Sequence, residues 1–175
     1  GEFLSTKEIY NIQNNSSKLS IYGSRIFDKF TELKLYSLEQ KAPSIITFGS
    51  SRVLQFREKF FREKFYNMGY TVSSIKDALN IARFILATHK PKIVIMGVDF
   101  WWFNEDYKDA NYKKIYNDIP YNKIDPGHLL LPLKWLKDNK IKLLDYKYLF
   151  DSSSNHHLGI NGKIKKSGLA KDGSY

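Results

Sequence analysis

The sequence predicts an α/β fold built on a parallel sheet. Three observations predict it. Short apolar runs at 43–48, 64–67 and 92–97 alternate with stretches of helical periodicity. Each run ends at or near a glycine: Gly49, Gly69 and Gly97. The third run, Ile93-Val94-Ile95-Met96, is continuously apolar, as in strands buried on both faces of a parallel sheet. Strand, helix, strand, helix, strand in that order calls for right-handed crossovers with helices covering both faces.

Taken in order, Gly1-Glu2-Phe3 reads as a remnant of cloning. Residues 4–23 are polar and rich in Ser and Asn, so 1–23 is expected to be a poorly packed leader and 24–175 one α/β domain. From Ser24 to Glu39, Ile26, Phe27, Phe30, Leu33 and Leu38 recur roughly at helical spacing, which predicts an amphipathic helix. Pro43-Ser44-Ile45-Ile46-Thr47-Phe48 is short, β-branched and aromatic, and predicts the first strand. Gly49-Ser50-Ser51-Arg52 then turns the chain, and Val53-Leu54-Gln55-Phe56 reads as the start of a helix.

Phe56-Arg57-Glu58-Lys59-Phe60 is repeated at once as Phe61 to Phe65, a copy too short to signal a repeat fold. The second copy runs into a second strand, Lys64 to Asn67, and a turn at Gly69. Ser73 to Thr88 predicts a helix capped by Ser73 or Ser74, with Ile75, Leu79, Ala82, Ile85 and Leu86 as its buried stripe. His89-Lys90-Pro91 stops it, with His89 placed near the last carbonyls. Lys92 to Gly97 is the third strand. Residues 104–127 read as a long polar loop, 129–140 as a helix, 141–150 as a strand or helix, and 151–175 as a tail with little regular structure and a solvated Asp172.

Composition limits the function. The chain has 42% hydrophobic and 15% aromatic residues, enough for a packed core. It has no Cys, which removes disulfides and thiolate metal sites. No apolar run reaches the roughly 18–20 residues of a membrane span, and no signal peptide is evident. The net charge of +10 favours anionic partners, and residues 51–100 hold nine Lys and Arg against four Asp and Glu. Nucleic acid is one anion of this kind, yet there is no basic arm, zinc-finger spacing or RNA-binding signature, so no specific nucleic acid is expected. No metal-ligand spacing and no glycine-rich phosphate loop is present, so no cofactor is expected.

In a parallel sheet, ligands bind beyond the carboxyl ends of the strands. Three segments converge there: Gly49-Ser50-Ser51, Asn67-Met68-Gly69 and Gly97 to Asn104. Acyl transfer needs a nucleophile and N–H donors for the oxyanion. Ser51 is the candidate nucleophile. The N–H groups of Ser51 and Gly69, with Asn104, are candidate oxyanion donors. The competing reading makes Ser50 or Ser51 a helix N-cap and nothing more. Phe100-Trp101-Trp102-Phe103 likewise has two readings, core packing or a platform on which Trp101 and Trp102 stack against a sugar.

The order of these blocks resembles the SGNH/GDSL hydrolase superfamily. Gly49-Ser50-Ser51 stands where the family has Gly-Asp-Ser, Gly69 where it has a second-block Gly, and Gly97-Val98-Asp99-Phe100 where it has Gly-x-Asn-Asp. Phe48 to Arg52, Phe65 to Gly69 and Gly97 to Trp101 together look like a bacterial membrane-anchored SGNH-like group associated with cell-envelope polysaccharide, with a weaker echo in Lys171 to Tyr175. The resemblance implies a flavodoxin-like three-layer sandwich with a parallel sheet and Ser51 as nucleophile. It further implies esterase or O-acyltransferase chemistry on an acylated glycan or anionic envelope polymer. It places the protein in the extracytoplasmic envelope, anchored to the membrane outside this sequence; a cytoplasmic setting is the alternative.

Two departures stand out. Asp99 replaces the third-block Asn, and an ionised carboxylate would repel an oxyanion, so Asp99 is protonated, turned away or put to another use. The family's late Asp-x-x-His is matched by Asp125-Pro126-Gly127-His128, but this precedes a predicted helix instead of following the last strand. His156 and His157 stand later, with Asp151 five residues before His156. The alternative is a domain incomplete at its C-terminus, lacking the family's final strand and helix, whose base follows Tyr175. A second function remains open beside the enzyme: a catalytically inactive SGNH-like binding or assembly module for an anionic polysaccharide.

Overall fold

A computed structural model describes residues 5–15, 21–22, 30–104, 130–139, 142, 144, 157–158 and 168–175. The chain divides into two compact units, one of residues 1–33 with 120–171 and one of 34–119 with 172–175. Among the described residues no helix is long and apolar enough to cross a membrane.

In the first unit, the segment expected to be an unpacked leader contains helix α1, Thr6–Asn15. Its start is a capping box. The Ser5 N–H and hydroxyl both donate to Glu8 Oε2 at 2.7 Å, and the Glu8 N–H donates back to Ser5 Oγ at 3.3 Å. Thr6, Ile9 and Gln13 fall on one buried face. The polar composition concealed this helix, because its apolar stripe is a single Ile flanked by hydrogen-bonding residues. Gln13 donates to the Leu169 carbonyl at 3.4 Å, and Lys171 Nζ donates to the Asn14 carbonyl at 2.7 Å. Strand β1, Ile21–Tyr22, pairs in parallel with a strand at His157–Leu158. Leu131–Lys137 is helical inside the predicted 129–140, with Pro132 in its first turn, where proline lacks no needed N–H.

Helix α2, Phe30–Lys41, leads into the second unit. That unit is a three-stranded parallel sheet of β2, Ile45–Gly49, β3, Phe65–Gly69, and β4, Ile93–Gly97, in the order β3-β2-β4. All three strands lie where the apolar runs predicted, within one or two residues. Their register aligns Ile45, Phe65 and Ile93 at one end and Gly49, Gly69 and Gly97 at the other. Helix α3, Ile75–Thr88, connects β3 to β4. Ser74 caps it, its Oγ accepting from the Asp77 N–H at 3.2 Å, while Asp77 Oδ2 accepts from the Ser73 hydroxyl at 2.7 Å.

One core cluster joins Leu35 and Leu38 of α2, Ile46 and Phe48 of β2, and Tyr66 and Met68 of β3. Ala78, Ile81 and Ile85 of α3 complete it with Val72 and Trp102. Two expectations are corrected here. The buried stripe of α3 is Ala78, Ile81 and Ile85, whereas Ile75, Leu79 and Leu86 are exposed. Apolar residues fill more than one helical face, so spacing alone did not choose the inward one. Strand β4 was expected to be buried on both faces, yet Ile93, Val94 and Met96 are about half exposed. Among the described residues β4 pairs with β2 alone and lies at the edge of the sheet. The sheet and its helices make this a small α/β fold.

Residues 168–175 have little regular structure, as expected, but 172–175 lie beside β3, so the expectation of a solvated Asp172 is corrected. The Asn67 N–H donates to the Asp172 carbonyl at 2.7 Å, and the Tyr175 N–H to the Leu54 carbonyl at 3.1 Å. The Asp172 carboxylate accepts from the Glu58 N–H at 2.8 Å and from the Ser174 N–H and hydroxyl. Lys34, with no exposed surface, donates to the carbonyls of Asn67 and Gly173 at 2.7 and 2.6 Å.

Candidate active site at the carboxyl edge of the sheet

The three register-matched glycines form a floor without side chains. Gly49 has φ +150°, and a Cβ there would lie 2.6 Å from the Gly97 carbonyl oxygen. A Cβ at Gly69 would lie 2.8 Å from both Val53 Cγ2 and Asn67 Oδ1, and one at Gly97 would collide with Val53 Cγ1. Val53, itself buried, therefore rests directly on the sheet end. This close approach is what the glycines permit.

The expected helix after Arg52 is a single 3₁₀ segment, Ser51–Gln55, followed by extended chain and a second short 3₁₀ turn at Glu58–Phe60. Ser50 is its N-cap, and its Oγ accepts from the Arg52 N–H at 3.4 Å. The N-cap reading therefore falls to Ser50 and not to Ser51. Ser50 caps the turn. Ser51 is exposed, and its hydroxyl makes no hydrogen bond to a described residue.

Asn67 fixes this turn to β3. Its Nδ2 donates to the carbonyls of Val53 at 2.7 Å and Phe56 at 2.9 Å. Its Oδ1 accepts from the Gly69 N–H at 2.7 Å. The Gly69 N–H, a candidate oxyanion donor, is therefore already bonded. Asn104 lies at the same edge, exposed, where it ends the 3₁₀ segment Phe100–Phe103 through its N–H to the Trp101 carbonyl at 3.1 Å.

Asp99 is 3% exposed. Its Oδ1 lies 3.4 Å from Arg52 Nε, and its Oδ2 is buried without a hydrogen-bond partner. The Arg52 guanidinium also lies over the Trp101 ring, 4.7 Å from its centroid. Phe100 meets Trp101 edge-on at 5.1 Å and is itself exposed. Trp102 is in the core cluster at 7% exposure, with its Nε1 unpartnered. The aromatic run accordingly splits: Trp102 packs inward, contrary to its expected place on a sugar platform, Trp101 is half-buried against the same cluster, and Phe100 is exposed. Reading the sequence alone missed the Arg52–Asp99 pair. The available signal was an Arg and an Asp on the loops after two adjacent strands.

His89 closes α3, its Nε2 within 2.9 Å of the Pro43 carbonyl oxygen. Pro43 precedes β2 and Ser51 follows it, so His89 lies at the opposite end of the sheet and cannot serve Ser51. Asp125, His128, Asp151 and His156 lie outside the described residues, as does the side chain of His157. No group of His, Asp or Glu side chains among the described residues could hold a metal ion. No protein-family model, curated protein or solved structure matches this chain.

Proposed function

We propose that the protein is a Ser-dependent esterase or O-acyltransferase acting on an acylated glycan or related envelope polymer. The observation that carries this reading is Ser51 itself. Its hydroxyl is exposed and bonded to no described residue, it stands on a tight turn over a glycine floor, and its neighbour Ser50 does the capping. Exposed serines on strand-to-turn corners of parallel sheets are suited to nucleophilic attack because substrate can approach from outside the strand ends.

Ser51 Oγ attacks the acyl carbonyl and forms the C–O bond of a tetrahedral intermediate. A histidine takes the hydroxyl proton and returns it to the leaving alkoxide as the bond to that group breaks. Water or an acceptor hydroxyl then releases the acyl group. The resemblance offers His128, with Asp125, as the base. The Ser51 N–H stabilises the oxyanion, with Asn104 beside it; the Gly69 N–H joins only if Asn67 Oδ1 gives it up. The cell envelope is the setting, with the chain held to the membrane by sequence outside these residues.

The second reading is an inactive SGNH-like module that binds an anionic polymer. The bond from Gly69 to Asn67 favours it, since an oxyanion donor is occupied. Turnover of an aryl acetate separates the two. The enzyme reading expects hydrolysis that falls at least a hundredfold in Ser51→Ala and comparably in His128→Ala. Turnover equal in Ser51→Ala and the parent protein assigns the face to binding.

A further inference from the structure

We infer that Arg52 forms an anion subsite beside Ser51, one that takes a carboxylate or phosphate group carried by a sugar. The inference rests on reading the Ser51 corner as the ligand-binding edge, and it names the substrate chemistry that edge selects.

Arg52 is held in two ways. Asp99 Oδ1, buried beneath it, lies 3.4 Å from Nε, and the Trp101 ring lies 4.7 Å beneath the guanidinium carbon. The side chain nevertheless remains 66% exposed. No hydrogen bond to a described residue engages its two terminal nitrogens. A flexible surface arginine loses conformational entropy on binding; one already stacked and anchored loses less. What remains is a forked pair of N–H donors facing outward, the geometry that matches two oxygens of a carboxylate or phosphate.

Position gives this fork its meaning. Arg52 directly follows Ser51 in the 3₁₀ turn, so the two side chains rise from adjacent residues of the same sheet edge. Exposed Phe100, edge-on to Trp101, adds an apolar surface suited to the face of a pyranose. Asp99 accounts for the family departure noted in the sequence. Its carboxylate is turned to Arg52 and orients that side chain, leaving the anion to the far side of the guanidinium.

The test is a ¹H–¹⁵N NMR titration of the full chain carrying Ser51→Ala, so that binding is read without any chemistry at Ser51. Methyl β-glucuronide, glucose 6-phosphate and methyl β-glucoside are the three probes. At least one acidic sugar is expected to shift the Arg52 Nε–H and Trp101 indole signals, and to bind about tenfold or more tightly than the neutral glucoside. Which acid binds tells carboxylate from phosphate. Arg52→Gln is expected to lower that affinity at least tenfold. Arg83→Gln, an equal loss of charge on exposed α3, changes it less than twofold. Arg52→Lys, which keeps the charge and the fold but loses the fork, falls at least threefold. Equal binding of all three sugars, no binding of either acid, equal loss in Arg83→Gln, or full affinity in Arg52→Lys would each overturn the subsite. None of these outcomes bears on whether Ser51 is a nucleophile.

Discussion

Lys34 is the most constrained ionisable residue of the described chain. It has no exposed surface and donates to the carbonyls of Asn67 and Gly173. Burial pushes its pKa well below the ordinary lysine value, and the Asp172 carboxylate only partly opposes this. The sign of the effect follows. Between the lowered folded pKa and the ordinary value of about 10.4, the unfolded chain holds a proton that the folded chain does not. Stability therefore rises with pH across that window and levels off above it. Urea midpoints measured from neutral pH upward are expected to show this rise in the parent protein and to lack it in Lys34→Met. Parallel profiles would show that Lys34 folds without losing its proton. Nothing local announced this residue, because its partner Gly173 stands 139 positions away. The place of Ser51 on an exposed turn after β2 was legible, since a serine between Gly49 and a following apolar turn is a local pattern. The division of labour with Ser50 was not, because either hydroxyl could reach the turn's N–H groups.

At the scale of elements, strands were easier to read than helices. Runs such as Ile45 to Phe48 carry their own signature of β-branched and aromatic residues, and both ends of each strand are marked. Helix α1 was missed because its capping box, Ser5 with Glu8, sits in a segment whose composition suggests solvent. The inward face of α3 was read in part: Ile85 and Ala82 meet the core, but Ile75, Leu79 and Leu86 do not, because burial depends on the sheet beneath, which spacing does not encode. The glycine floor is the element on which the site depends. Gly49→Ala requires an L-residue at φ +150° with its Cβ 2.6 Å from the Gly97 carbonyl oxygen. Backbone cannot yield as a flexible side chain would. The expected cost is about 1–3 kcal/mol, read as a lower denaturation midpoint, together with lost aryl acetate turnover as the Ser51 turn lifts from the sheet. An unchanged midpoint would mean that the turn does not lie as close to β4 as described.

At the scale of the whole molecule, the sheet order β3-β2-β4 brings the strand ends and the loops after them to one edge, where Ser51, Arg52, Gly69, Asp99, Trp101 and Asn104 lie. Topology explains why residues spread from 51 to 104 in sequence lie at one edge. It also explains why the base was not legible. A histidine serving Ser51 must reach this edge from a distant part of the chain, and no local pattern fixes which of His128, His156 and His157 does so. Net charge gives no shape to an anionic partner; the subsite proposed at Arg52 is what would supply one. The most direct measurement is mass-spectrometric mapping of the adduct formed with a fluorophosphonate probe. Modification of Ser51, with Ser50 unmodified and the adduct abolished in Ser51→Ala, is the predicted result. An absence of adduct at Ser51, with labelling unaltered by Ser51→Ala, would contradict a nucleophilic serine at the edge of this sheet.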